Sequence, residues 1–365
     1  MKLNRYIYSG LLTTLLLGWG SLLTCCTSDT VENEAKQPQE PQHGEQVGEP
    51  LWVASLTRAD NDPVDAPDPM KDEKICLFLT HGQTTSSGIV LYKGKSDAST
   101  GSDINWDSSP LYVKPGNDYE VFGFMPSSEV TGTPNISFSG SAVTMNINGI
   151  NAVSAKDVCV VIGASSVGET ITPGSFNYHA PENTEVGYGV DLLADHLFAS
   201  AMFQFKVHAD YDKLRTVKLK KVTMKLKSES SLPAKVNATV TLTKGNTSPI
   251  TNVELTSGSG TYEPVELFSD NGYALKVNES KDVAVYFNPA YKGDLVLVST
   301  YDVFDKQGNL TRENCTAENG LGSILNVSSM VRGAQMVIPL TVRPTYLYVL
   351  SESDWDYDVP SVETD

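Results

Sequence analysis

From residue 75 onward one unit recurs in this sequence: a short apolar or alternating run, then a cluster of Gly, Pro, Asn, Asp and Ser. In the clearest case Val217, Leu219, Val222, Met224 and Leu226 take turns with Lys218, Lys220, Lys225 and Lys227. A side-chain period near two puts the apolar set on one face of a strand, and the slip at Lys220-Lys221 predicts a bulge. Residues 75–79, 88–92, 119–125, 158–162, 202–207, 235–242, 283–287, 295–303, 335–342 and 345–350 read as further strands. Pro115-Gly116-Asn117-Asp118 and Asp270-Asn271-Gly272 are typical separators, rich in residues that pre-set or tolerate turn dihedrals. No stretch keeps a helical period over three turns; residues 323–331 predict at most a short helix. Many short strands at steady spacing imply an all-β chain of antiparallel sandwiches. A chain of 365 residues exceeds one simple sandwich, so two are expected, spanning 51–190 and 191–365.

Before the strands comes an address. Lys2 and Arg5 precede an apolar stretch from Leu11 to Leu23, which ends in Thr24-Cys25-Cys26. A basic start, a short apolar region and small residues describe an export signal, too short for a stable span. Its end resembles a bacterial lipobox, whose Cys becomes the lipidated first residue. Cys26 has Leu at −3 and Thr at −2, which fits; Cys25 has Leu at −2, which fits less well. The reading is a signal over 1–25 and an acidic, disordered tether over 26–50, rich in Gln, Pro and Glu and unable to bury a core. Acidic residues soon after a lipidated Cys resemble the signal that sends lipoproteins to the surface of some Gram-negative anaerobes. The expected location is thus the cell surface, with the precursor anchored in the outer membrane by lipid.

The formal charge of −17 excludes a typical nucleic-acid binder, which needs a basic face to displace counterions from phosphate. Catalytic signatures are missing: none of the five histidines stands in a metal-ligand spacing, and no nucleophile elbow, P-loop or dinucleotide fingerprint occurs. An enzyme is not expected, and no cofactor is implied. Cys76, Cys159 and Cys315 sit among apolar or small residues with no CxxC spacing and no nearby His, which predicts buried free thiols and no zinc site. His196 reads as a hydrogen-bonded structural histidine at a sheet edge. Asp354, Asp356 and Asp358 open like a calcium loop, but Val359 stands where such a loop needs Gly.

Taken together, several motifs resemble the fimbrillins, the type V pilins of Gram-negative anaerobes. Leu51-Trp52-Val53-Ala54-Ser55-Leu56-Thr57-Arg58-Ala59 looks like the family's first strand, ending in an Arg that a trypsin-like protease cuts. Asp191 to Val207 looks like the strand that opens the second domain. Val285-Tyr286-Phe287-Asn288-Pro289 and the C-terminal pair Leu340-Thr341-Val342 and Tyr346-Leu347-Tyr348-Val349-Leu350 look like further family strands.

The resemblance implies two tandem transthyretin-like β-sandwich domains and a structural role in cell-surface fimbriae that support adhesion. An arginine-specific protease would cut between Arg58 and Ala59 and free the first strand. A donor strand from another pilin subunit, Tyr346, Leu347, Tyr348, Val349 and Leu350, would then fill the emptied groove. That donor satisfies apolar side chains and backbone groups at once. The partners so implied are other pilin subunits, the protease, the membrane and a host or bacterial surface ligand. Arg58 is the only Arg between the lipobox and Arg215. The polar, turn-prone stretch that follows it puts Arg58 within reach of a protease, and as a surface substitution Arg58→Ala should change stability by less than about 0.5 kcal/mol; the alternative is a merely solvated strand-end charge.

Two other functions fit parts of the pattern. A surface glycan-binding lipoprotein would share the anchor and the sandwiches, with Trp106 and Trp355 as its stacking platforms. A hydrolase would need a catalytic constellation that the sequence does not display.

Overall fold

Residues 48–58, 70–94, 106–182, 187–324 and 330–343 are described by a computed structural model, and all belong to one unit, Gln46–Asp365. The N-terminal part holds β1 (Glu49–Pro50), β2 (Trp52–Arg58), β3 (Lys74–His81), β4 (Thr84–Leu91), β5 (Tyr112–Val113) and β6 (Asp118–Met125). Next come β7 (Asn135–Ser139), β8 (Ala142–Asn151), β9 (Val153–Ser154), β10 (Cys159–Ser166), β11 (Asn177–His179), β12 (Gly189–His196) and β13 (Ala199–Val207). The rest is β14 (Thr216–Leu226), β15 (Lys235–Thr243), β16 (Ile250–Ser257) and β17 (Val265–Ala274). After these come β18 (Lys281–Phe287), β19 (Leu295–Phe304), β20 (Leu310–Gly320) and β21 (Gln335–Val342). Among the described residues, helix is confined to short turns such as Ala209–Leu214 and Leu321–Ile324. The chain is all-β, as the period-two patterning predicts.

The largest sheet runs β2-β12-β10-β6-β3-β4, with β11 also on β6. Its inner strands β3, β6 and β10 are buried almost without interruption, so alternation is absent from them. The reason is that both faces are covered, which favours continuous apolar runs. Cys76, Phe78, Phe122, Phe124, Val160 and Ile162 point into one hydrophobic cluster, shared with β8, β13, β14, β15 and β19. Ile75, Leu77, Val121, Cys159 and Val161 point into a second, closed by Leu51, Met70, Tyr92, Leu111 and Val113.

The described residues also form three four-stranded sheets, in the orders β16-β15-β8-β7, β21-β13-β18-β9 and β17-β14-β19-β20, and the small β1-β5 pair. Here β13 and β15 alternate buried and half-buried residues along their whole lengths, as strands with one covered face should. The bulge expected at Lys220-Lys221 is present: the register of β14 shifts between Leu219 and Lys221 against both neighbours. The outward lysines of β14 meet acids of the same sheet, Lys220 with Asp302 on the adjacent β19 and Lys225 with Glu318 on β20, one strand further.

Three features differ from the sequence reading. The tether drawn through residue 50 gives way to structure earlier, because Glu49 and Pro50 pair with Val113 and Tyr112. The run from Asp191 to Val207 is two strands: Leu197 N–H donates to the Val158 carbonyl at the corner between β12 and β13, which enter different sheets. A line between 190 and 191 therefore falls inside β12, and β8 and β9 pair with strands from beyond it. The Asn288-Pro289 motif ends β18 in a cap, with Asn288 Oδ1 accepting from Ala290 N–H at 3.0 Å.

Candidate functional site

The site follows from β2. This strand lies at the end of the largest sheet and pairs on one side, in parallel, with β12. The register sets Trp52 opposite Gly189, Val53 opposite Val190 and Arg58 opposite Ala194, with one irregularity between Val190 and Asp191. Leu51 and Val53 are buried in the second hydrophobic cluster, Leu56 packs against it, and Ser55 hydrogen-bonds Asp191. Gly189 permits the close approach. A Cβ there would stand 2.7 Å from Val167 Cγ2 and 2.8 Å from Trp52 Cζ2, inside any real contact. The sequence thus places an apolar strand beside a glycine that Trp52 of the same strand covers.

At its end β2 does not fray into solvent. Arg58 Nη1 donates to Asp157 Oδ2 at 2.9 Å, and the two side chains are only 10% and 3% exposed. This corrects the surface placement of Arg58 expected from sequence, on the protease-site reading and on the solvated-charge alternative alike, since a cation beside an acid this deeply covered belongs to the core. Asp157 Oδ2 also lies 2.5 Å from His196 Nδ1, and Cys159 Sγ lies 3.7 Å from the same nitrogen. One flank of the group is held by Arg332, which donates to Asp195 Oδ2 at 3.0 Å and to the His196 carbonyl at 2.7 Å. Burial first, then the Asp157 carboxylate, pushes the Cys159 thiol well above its usual range, with Arg58 opposing, so the sulfur is neutral. The same two influences raise Tyr286, again against Arg58.

Asp157 and Cys159 do not stand out beside His196 in the sequence, because their relation to it is not local: β10 and β12 run antiparallel and pair Cys159 with His196 across the ladder. The expectation that no histidine stands near a cysteine is therefore corrected. A cysteine nucleophile is still not built here. Cys159 is fully buried, and both it and Asp157 approach Nδ1, whereas a relay needs the base and its orienting acid on opposite ring nitrogens.

Other predicted site residues distribute as follows. Cys25, Cys26, Ala59 and the donor segment Tyr346, Leu347, Tyr348, Val349 and Leu350 lie outside the described residues, as does Trp355. Trp106 packs against the second hydrophobic cluster with its indole nitrogen buried, a poor platform for a sugar. Cys76 and Cys159 are buried free thiols as expected, and Cys315 is half-buried.

No family model matches the chain, and no curated protein does. Solved structures do align with it. One from Bacteroides fragilis, described as a candidate cell adhesion protein, shares 10% identity over 82% of this chain and 94% of its own, with a TM-score of 0.39. A similarly described protein from Bacteroides uniformis shares 11% over 81% and 92%, at 0.37. A fimbrial protein from Bacteroides vulgatus shares 13% over 79% and 95%, at 0.31. The structural neighbours of this all-β chain are thus Bacteroides proteins named for cell adhesion and fimbriae, at a likeness too slight to carry weight of its own.

Proposed function

We propose that this chain is a structural subunit of a cell-surface fimbria, exported as a lipid-anchored precursor and assembled by strand exchange after cleavage at Arg58. The observation that carries the reading is β2. Among the described residues it is an edge strand bound along one side, it buries Val53 next to the buried Leu51 that precedes it, and it ends at the only Arg between residues 6 and 214. Loss of β2 would leave β12 with unpaired backbone groups beside an apolar trough, the combination that an incoming strand satisfies. The buried pair with Asp157 adds a condition. A protease that reads Arg needs that side chain in its own pocket, so cutting proceeds from molecules in which the end of β2 has opened.

The test treats the full-length chain with an arginine-specific protease and images the product by electron microscopy. Two variants run beside it: Arg58→Lys, which keeps a cation for Asp157, and a chain lacking residues 345–365. Filaments from the wild type and from neither variant support the reading. Filaments from Arg58→Lys, or from the truncated chain, overturn it. If the wild type is cut after Arg58 but stays monomeric, exchange is not the consequence of cleavage and the proposal fails.

A further inference from the structure

We propose that Asp157, Cys159 and His196 form a binding site for a borderline-soft divalent cation, with Zn²⁺ the best match to the donors. Their ligand atoms, a carboxylate oxygen, a thiol sulfur and an imidazole nitrogen, all lie within 4.8 Å of one another. The 3.7 Å between Cys159 Sγ and His196 Nδ1 suits two ligands on one tetrahedral ion. Bonds of about 2.3 Å to sulfur and about 2.0 Å to nitrogen place such a pair roughly 3.6 Å apart. Sulfur with nitrogen also selects against Mg²⁺ and Ca²⁺, which take oxygen.

The Asp157 carboxylate adds a second observation. Among the described residues Asp157 Oδ1 is buried without a hydrogen-bond partner, although its sister Oδ2 holds both Arg58 and His196 and the carboxylate also attracts the Cys159 thiol. A covered carboxylate oxygen without a partner is costly in any protein. A cation on Oδ1 removes that cost and leaves Oδ2 to Arg58, which then orients the ligating carboxylate from behind, as outer-shell groups do in metal sites. His196 gives up its hydrogen bond to Oδ2 and turns its Nδ1 lone pair on the ion, the ring proton moving to Nε2. Binding deprotonates the thiol: Cys159 S–H and the cation give a sulfur–metal bond and one free proton. Three protein ligands leave the fourth position to water. The side of the site toward solvent is His196, whose side chain is 15% exposed. An ion here would tie the last residue of β2 to both β10 and β12.

The experiment titrates Co²⁺, then Zn²⁺, into the full-length chain carrying Cys25→Ser and Cys26→Ser, which removes the adjacent thiols near the start. The expected result is one equivalent bound, a thiolate-to-cobalt charge-transfer band with tetrahedral d–d bands, and displacement by Zn²⁺. Cys159→Ser abolishes the charge-transfer band, Cys76→Ser keeps it, and Arg58→Met weakens binding by about 10–100-fold. Calorimetry in two buffers of different ionisation enthalpy reads one proton released per cation, a result that needs no variant to fold. Absence of the band, a band that survives Cys159→Ser, or binding without proton release overturns the site.

Discussion

Replacing Arg58 by Ala separates a buried ion pair from a surface charge. The side chain is 10% exposed and its partner Asp157 3%, with 2.9 Å between them. Removing one member of a buried pair typically costs about 3–5 kcal/mol, because the other is left charged and uncompensated. Two features favour the lower end: Arg58 keeps some contact with water, and His196 still stands 2.5 Å from the same carboxylate oxygen. A loss of about 3 kcal/mol is expected on that basis, against less than about 0.5 kcal/mol for a solvated charge. At roughly 2 °C per kcal/mol for a chain of this size, the midpoint should fall by about 6 °C. Thermal and urea unfolding followed by circular dichroism at neutral pH provide the measurement. The double variant Arg58→Met with Asp157→Leu serves as the control. It removes both charges at similar volume and should recover most of the loss, since apolar replacement of a whole buried pair is often neutral. An Arg58→Ala protein as stable as the wild type would refute the reasoning, and so would a double variant as unstable as the single one.

Three further outcomes are expected. Gly189→Val should destabilise the fold by about 1–3 kcal/mol through overpacking against Trp52 and Val167, and should speed proteolysis after Arg58 as β2 loosens. Limited digestion with mass spectrometry checks it. Burial raises the Cys76 thiol from 9.0 to about 12. Its unfolded form therefore loses a proton that the fold retains, so stability is level below pH 9 and falls as pH rises toward 12. Cys76→Ala should flatten that alkaline slope in urea titrations by up to one proton. Replacing both Cys25 and Cys26 by Ser should abolish fatty-acid labelling and release the protein from membranes; unchanged labelling would contradict the lipid anchor.

What could be read from the sequence depended on how far apart the interacting residues lie. The alternation in β14 and its bulge are local, a matter of which of two faces each residue takes, and both were legible. So were β3, β6 and β10, although their continuous apolar runs say only that both faces are covered. By contrast β7, β16 and β20 carry Asn, Thr, Ser and Glu on open faces and give little apolar period to detect; β8 does alternate, Val143, Met145 and Ile147 against Thr144 and Asn146, so its period-two signal was there to be read. The corner at Leu197 was hidden because both strands around it are apolar and no Gly or Pro marks the break. The Arg58 group was illegible for a related reason. Arg58, Asp157 and His196 are drawn from three separate places in the chain and meet only through the β2-β12-β10 pairing. Sequence could place Arg58 at the end of a strand, but not the carboxylate that buries it.

The central claim is that β2 leaves the protein when the subunit matures. Mass spectrometry of the chain recovered from surface filaments tests it most directly, by reading the mature N-terminus. The account predicts Ala59 as the first residue, with no peptide from Leu51 to Arg58 remaining. Filaments whose subunits still carry Leu51, Trp52 and Val53 would contradict it.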